Sequence, residues 1–357
     1  MWRYNRITAV AAALLLGHVA SVGAQTGPAS PALVRPRFQR AQNRAGLARR
    51  AAQNANAVEA RRAREIMALF LRQGNKQPYV GEQVTQVMAG GLESREIVKH
   101  RGPWQDRIEF VAPPRMTGEI ILQNGGRFQH YKPSQSVILE GVASPEVFLG
   151  QVRGILAGIK EGRITVRVVG SQVVAEQNAS IVEIRTPEGG WRLWIDDRTG
   201  VRLKSEQLNA QGAVTMTSYF TKIDYTPTFG PTDFAPASLP RVRHEASLPS
   251  GPPLPTVQAA QQQVDYTIRE PALPAGFQIA GVWVVELPGA KVTVLRYTDG
   301  PNNFTLFEQK ARQKALAAAP RKPLRRNLRH WIADGVSFSL MGNLRPATLL
   351  QIVDSLQ

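Results

Sequence analysis

The sequence predicts an α+β protein of two units, each an antiparallel sheet accompanied by a few helices. Three observations carry that expectation. Period-two alternation runs from Gln77 to about Tyr225, broken by Gly, Pro and Asn-Gly turns. Two stretches of helical spacing accompany it, at 58–72 and 144–160. A stretch holding seven prolines, 231–263, separates it from a second alternating region that ends in an apolar helix.

The chain opens with Arg3 and Arg6, an apolar run from Ile7 to Gly17, and small residues at Val22 and Ala24. That order is a secretory signal peptide, 1–24, with cleavage after Ala24. The apolar run is far shorter than the roughly 20 residues a spanning helix needs. Residues 25–56 are rich in Arg, Ala, Gln and Pro and hold little that could fill a core, so they read as a basic disordered arm. The arm is either a solvated tail or a tether to an anionic surface.

Lys and Arg outnumber Asp and Glu by 44 to 27, for a net charge of +17. Such a balance calls for an acidic counterpart, whether anionic lipid, acidic protein or nucleic acid. Export and the absence of interleaved aromatics argue against nucleic acid. There is no cysteine, so no disulfide, thiol nucleophile, Cys-held metal or acylated lipoprotein anchor is possible.

Taken in order, Val58–Arg72 places Ile66, Leu69 and Phe70 on one helical stripe, stopped by Gly74. Strands are expected at 77–89, 92–101, 104–112, 117–124, 126–132 and 135–141, with Asn124-Gly125 as a hairpin signal. Ser144 caps a second helix that carries Val147, Phe148, Val152, Ile155, Leu156 and Ile159 on one face. Strands resume at 163–174, 179–186, 190–197, 200–208 and 213–225. A first domain therefore spans 57–230, the segment 231–263 is an extended linker, and a second domain spans 264–357 with about four strands and a closing helix.

Catalytic signatures are missing. The five histidines stand singly, with no metal-ligand spacing, and no nucleophile elbow or phosphate-cradling loop occurs. Asp196 and Asp197 begin a turn, where neighbouring side chains point apart. No cofactor is called for. The basic run from Lys310 to Arg329, uninterrupted by acid, is either a solvated loop or a docking surface for an acidic partner or anionic head groups.

Several segments resemble a known family. "WIDDRTGVRLKSEQLNAQGAV" (194–214) is similar to a segment of LolA-like domains, and the order helix, six strands, helix, five strands matches theirs. "LPAGFQI" (273–279), "LRYTDGPNNFTLFEQ" (295–309) and "ATLLQIVDSL" (347–356) are similar to the C-terminal domain of the periplasmic sigma-E regulators of the RseB/MucB family. The resemblance implies a half-open antiparallel β-barrel with covering helices, followed by a small α+β domain. It implies an exported, non-enzymatic regulator of envelope stress, with an acyl chain or anionic lipid in its concavity and a membrane-embedded anti-sigma factor, or other envelope protein, as partner. A lipoprotein carrier and an unrecognised envelope hydrolase are the alternatives. The chain departs from the family pattern at Pro301, where the regulators carry an apolar residue, and in its long basic arm.

A half-open sheet has a concave apolar face that must meet a helix, a lipid or a peptide. Shared i, i+2 phase assigns Ile108, Phe110, Ile120, Leu122, Val137, Leu139, Trp191 and Leu193 to that face as the ligand-binding residues. In the second domain, Phe304, Leu306 and Glu308 alternate with Thr305, Phe307 and Gln309, so both strand faces carry apolar groups. That pattern assigns the partner site to Tyr297, Phe304, Phe307, Arg325, Arg326 and Arg329, unless a helix of the same chain covers the second face.

Overall fold

The computed structural model describes residues 58–59, 61–142, 154–235, 242–246, 251–287, 289–311 and 328–357. The expected signal peptide 1–24, the arm 25–56 and most of the second helix lie outside the described residues.

Helix α1 (61–74) ends in a π-helical turn, Phe70–Gly74. Its buried stripe is Ala63 and Met67, with Ile66 and Phe70 beside them. Six strands follow: β1 Tyr79–Val87, β2 Leu92–Gly102, β3 Gln105–Ala112, β4 Ile120–Asn124, β5 Arg127–Lys132 and β6 Val137–Val142. The Asn-Gly signal gives a two-residue hairpin: Asn124 pairs with Arg127 around Gly125, whose φ of +61° favours glycine. After α2 (154–160) come β7 Thr165–Val174, β8 Gln177–Thr186, β9 Gly189–Asp196, β10 Arg202–Asn209 and β11 Val214–Asp224.

With β12 (Arg243–Ala246), these strands form one 12-stranded sheet in the order β12-β6-β5-β4-β3-β2-β1-β11-β10-β9-β8-β7. Two meanders are thus joined where the first strand, β1, pairs with the last of the second run, β11. The sheet ends on β12 and β7 and is not closed by a ladder between them among the described residues. One face of β8 and β9, built from Val182, Ile184, Trp191, Leu193 and Ile195, is covered by Met67 of α1 and by Ile155, Leu156 and Ile159 of α2.

The segment expected as an extended linker, 231–263, carries structure. Asp233 and Phe234 pack on the first sheet: Lys99 reaches Asp233 at 2.5 Å and Asn124 donates to the Phe234 carbonyl at 3.0 Å. β12 (Arg243–Ala246) pairs in parallel with β6. Helix α3 (Val257–Gln261), capped by the Thr256 hydroxyl, puts fully buried Ala260 into the second core. Proline density made the segment look structureless, but its described pieces find an edge or an apolar face to cover.

The second sheet has five strands where four were expected: β13 Gln278–Leu287, β14 Ala290–Thr298, β15 Asn303–Lys310, β16 Leu328–Ala333 and β17 Val336–Gly342. Their order is β13-β14-β15-β17-β16, antiparallel throughout. Helix α4 (Pro346–Asp354) lays Leu349, Ile352 and Val353 across Tyr297, Phe304, Leu306, Phe338 and Leu340.

The two domains touch through a built joint. Glu188, in the β8–β9 turn, accepts from the Arg345 backbone and guanidinium and from Thr348. Asn302 donates to Thr186 at 2.7 Å, and the Trp191 indole donates to the Pro301 carbonyl at 3.3 Å. Among the described residues no helix is long and apolar enough to cross a membrane.

Candidate functional site

Cross-strand register builds an apolar row over the first meander. Val98 faces Ile108, Ile108 faces Ile121, Ile121 faces His130, and His130 faces Leu139. Directly opposed residues share a sheet face, so β4 presents Ile121 and Gln123 to the row and turns Ile120 and Leu122 away. Phe110, Met116, Ile121 and Phe128 cluster there, with Ile108 packed against them.

Where this row meets β1, β9, β10, β11 and the end of α1, a cleft opens with about 100 Å³ of free space. Its apolar wall is Phe70, Val98, Ile108, Phe110, Ile121, Trp191, Val201, Met216 and Phe220. Its floor is polar and already bonded. Glu96 is buried, and its carboxylate accepts from Gln83 at 2.9 Å, Thr85 at 3.1 Å and Ser94 at 2.6 Å. Thr85 and Ser218 share a further bond of 3.1 Å. Three donors on one carboxylate offset the cost of taking its charge out of water.

Beside it, His100 lies between two acceptors, Asp106 Oδ1 at 2.7 Å and the Asn75 carbonyl at 3.1 Å. This bond ties the C-terminal end of α1 to β2. The Tyr79 ring stacks on His100 at 5.0 Å. Burial pushes the Tyr79 hydroxyl up, and the Asp106 charge adds to it. Burial also pulls the Arg202 guanidinium below its ordinary value, against Tyr79 and Asp106. Among the described residues no group of three or more His, Asp or Glu is placed to hold a metal ion.

Of the eight residues expected on a concave face, Ile108, Phe110 and Trp191 border this cleft. Leu193 lies fully buried under α1 and α2. Val137 and Leu139 share the face of Lys132 and His130 but lie away from the cleft. Ile120 and Leu122 are a correction: they face the other way, and Leu122 is buried on the side of Lys99 and Arg107, where Asp233 also docks. Three apolar residues in a row, Ile120, Ile121 and Leu122, leave the phase of β4 undetermined by alternation. Pairing with β3 decides it.

The expected partner residues also need correction. Tyr297 and Phe304 are fully buried, stacked at 4.8 Å beneath α4, so neither can meet an outside chain. The helix of the same chain covers that face. Phe307 points to the opposite face and packs with Trp283, Val285 and Val294. Arg329 lies half-buried in β16, and Arg325 and Arg326 lie outside the described residues. The polar floor was missed. Its signal was present: Ser94, Glu96 and His100 share the i, i+2 phase of Val98.

Among curated proteins, none matches the chain. Residues 65–242 match the family model of the MucB/RseB N-terminal domain. A crystal structure of MucB is similar at 17% identity, with 82% of this chain and 96% of that chain covered and a TM-score of 0.53. MucB in complex with MucA(peri) is similar at 17% identity, over 82% of this chain and 97% of that one, with a TM-score of 0.57. The Pseudomonas aeruginosa MucA/MucB complex is similar at 17% identity, over 81% and 96%, with a TM-score of 0.56. At that identity the likeness shows the shared fold, and it extends across both domains. On the family model matched over residues 65–242, the chain belongs to the MucB/RseB family.

Proposed function

We propose that this chain is a non-enzymatic binding protein of the cell envelope, exported by its signal peptide, that senses an acyl-bearing ligand and regulates an anti-sigma factor. Membership of the MucB/RseB family and a fold shared with MucB bound to MucA(peri) support the protein partner. The observation that carries the ligand is the cleft itself: an apolar wall of Val98, Ile108, Phe110 and Trp191 set against a floor of Glu96, His100 and Arg202. An acyl chain gains about 0.8 kcal/mol per buried CH₂, and the polar floor suits the head of an amphipathic molecule. The curved, half-open form of the first sheet belongs to this reading. Partner contact falls to Phe307 and the basic run ending at Arg325, Arg326 and Arg329, which would speed encounter with an acidic segment.

The cleft as it stands is smaller than the roughly 300–1,000 Å³ of ligand pockets, so it must widen to receive a chain. Native mass spectrometry of the protein purified from envelopes tests the reading. Acyl-bearing adducts on the parent, lost in Ile108→Asp, support it. A parent free of adducts that also fails to bind a dansyl-labelled fatty acid would overturn it. The partner is tested separately: the periplasmic segment of an anti-sigma factor should be retained at low salt and released when Arg325, Arg326 and Arg329 become Glu. Equal retention by the charge-reversed protein would refute that contact.

A further inference from the structure

Nothing in the second domain lines the cleft, yet the second domain holds one of its walls. Most lining groups are fixed within the first sheet. Glu96 is bonded to Gln83, Thr85 and Ser94, and His100 to Asp106 and Asn75. Phe70 and Asn75 sit at the end of α1, where a Cβ on Gly74 would lie 2.2 Å from the Gly200 carbonyl oxygen. Trp191 differs. Its ring lines the cleft, and its indole N–H reaches across the domain boundary to the Pro301 carbonyl.

The turn that carries Pro301 is internally hydrogen-bonded and keyed into the first domain. Thr298 accepts from Gly300 N at 2.9 Å, and Asp299 accepts from Asn302 N at 2.7 Å. Asn302 then donates its side chain to Thr186, at the end of β8, at 2.7 Å. Gly300, at φ +105°, approaches α2 so closely that a Cβ there would lie 2.6 Å from Ile155 N. Ile155 belongs to the same buried cluster as Trp191. The turn therefore grips the tryptophan and its packing neighbour together.

We propose that Trp191 is the gate of the cleft, and that the turn Thr298–Asn302 of the second domain positions it in the closed setting. This rests on the reading of the cleft as a ligand site. Ligand entry swings the indole away from Pro301, and docking of the second domain opposes entry. Affinity for the ligand is then reduced by the fraction of molecules in which the gate is open. The coupling is reciprocal: a ligand that holds the gate open loosens the turn by the same factor. Pro301 lies at the point of contact, with its carbonyl accepting from the indole at 3.3 Å.

Two variants loosen the joint from opposite sides without touching the cleft: Thr186→Val removes the acceptor, and Asn302→Ala removes the donor. A third, Trp191→Phe, keeps a ring and removes the indole N–H. Two readouts are taken on the full chain, with melting curves to show that each variant is folded. One is the affinity for a dansyl-labelled fatty acid. The other is the fluorine NMR line of Trp191 in fluorotryptophan-labelled protein, assigned by its loss in Trp191→Phe. Losing the Asn302–Thr186 hydrogen bond across the joint should tighten probe binding about three- to tenfold. It should also broaden the Trp191 line in Thr186→Val and Asn302→Ala. Unchanged affinity and an unchanged line in both joint variants would overturn the gate. A parent that binds no fatty acid sinks the acyl reading instead, and the gate is then judged by the fluorine line alone.

Discussion

Glu188 in the first domain grips Arg345 in the second through both the backbone N–H, at 2.8 Å, and the guanidinium Nε, at 2.9 Å. Thr348 adds its hydroxyl at 2.9 Å, and Glu188 itself is buried. One carboxylate therefore caps the start of α4 and joins the domains. Glu188→Ala should weaken that joint by about 1–3 kcal/mol, toward the lower end because Arg345 stays half exposed to water. Urea unfolding should then split one transition into two. A single transition with an unshifted midpoint would show that the domains are held elsewhere.

The second domain should become less stable as pH rises. Burial pushes the Glu308 carboxyl up from 4.5 to about 7, with Glu270 adding and the Arg269 N–H opposing. A carboxyl with a raised folded value binds its proton more tightly when folded. Its contribution is complete below about 4.5 and is lost as pH rises through about 7. Each tenfold gain in proton affinity on folding is worth about 1.4 kcal/mol. Glu308→Gln should flatten the slope and raise the melting temperature at pH above that window, since its Oε1 has no hydrogen-bond partner to lose. A melting profile as steep as the parent's would assign the slope to other groups, Asp299 first. Burial raises Asp299 to about 6.

Opposite faces of β4 should answer differently. Ile121→Ala removes a side chain from the cleft wall and should change fatty-acid affinity. Leu122→Ala empties a buried site on the other face and should cost roughly 2–5 kcal/mol while leaving affinity within about twofold. Titrations and urea curves of the pair check this. Loss of affinity in Leu122→Ala alone would reverse the assigned phase.

The seat of α1 is backbone against backbone. Gly200 has φ +75°, and a Cβ there would lie 2.7 Å from the Leu69 carbonyl oxygen. Gly200→Ala should therefore strain the turn and lift the last turn of α1. Amide exchange in 61–74 should quicken about five- to thirtyfold, given a penalty on the order of 1–2 kcal/mol. Parent-like protection would mean that the turn relaxes without moving the helix.

The strands were readable because alternation and turn residues agreed: Gly90-Gly91 and Pro113-Pro114 fall between observed strands, and Asn124-Gly125 closes β4 into its turn. The closing helix was readable from Leu349, Ile352 and Val353 for the same kind of reason. What failed was information that lives in pairing. The phase of β4 needed β3, and the burial of Tyr297 and Phe304 needed to know that α4 folds back over them. The joint at Glu188, Thr186 and Trp191 links residues more than 100 positions apart, which no local pattern records.

The pairing of β1 with β11 sets when the cleft can exist. Val80 meets Asp224 across that ladder, while the flanking meanders are closed by short turns. Local hairpins carry a small loop-closure entropy and form early; a ladder between distant segments waits for both. Gln83 and Glu96 arise in the first meander, but Ser205, Met216, Ser218 and Phe220 arrive only with the second. No shorter precursor of the chain encloses the cleft. A chain delivered N-terminus first therefore stays without one until β11 has arrived and zipped between β1 and β10, already in place.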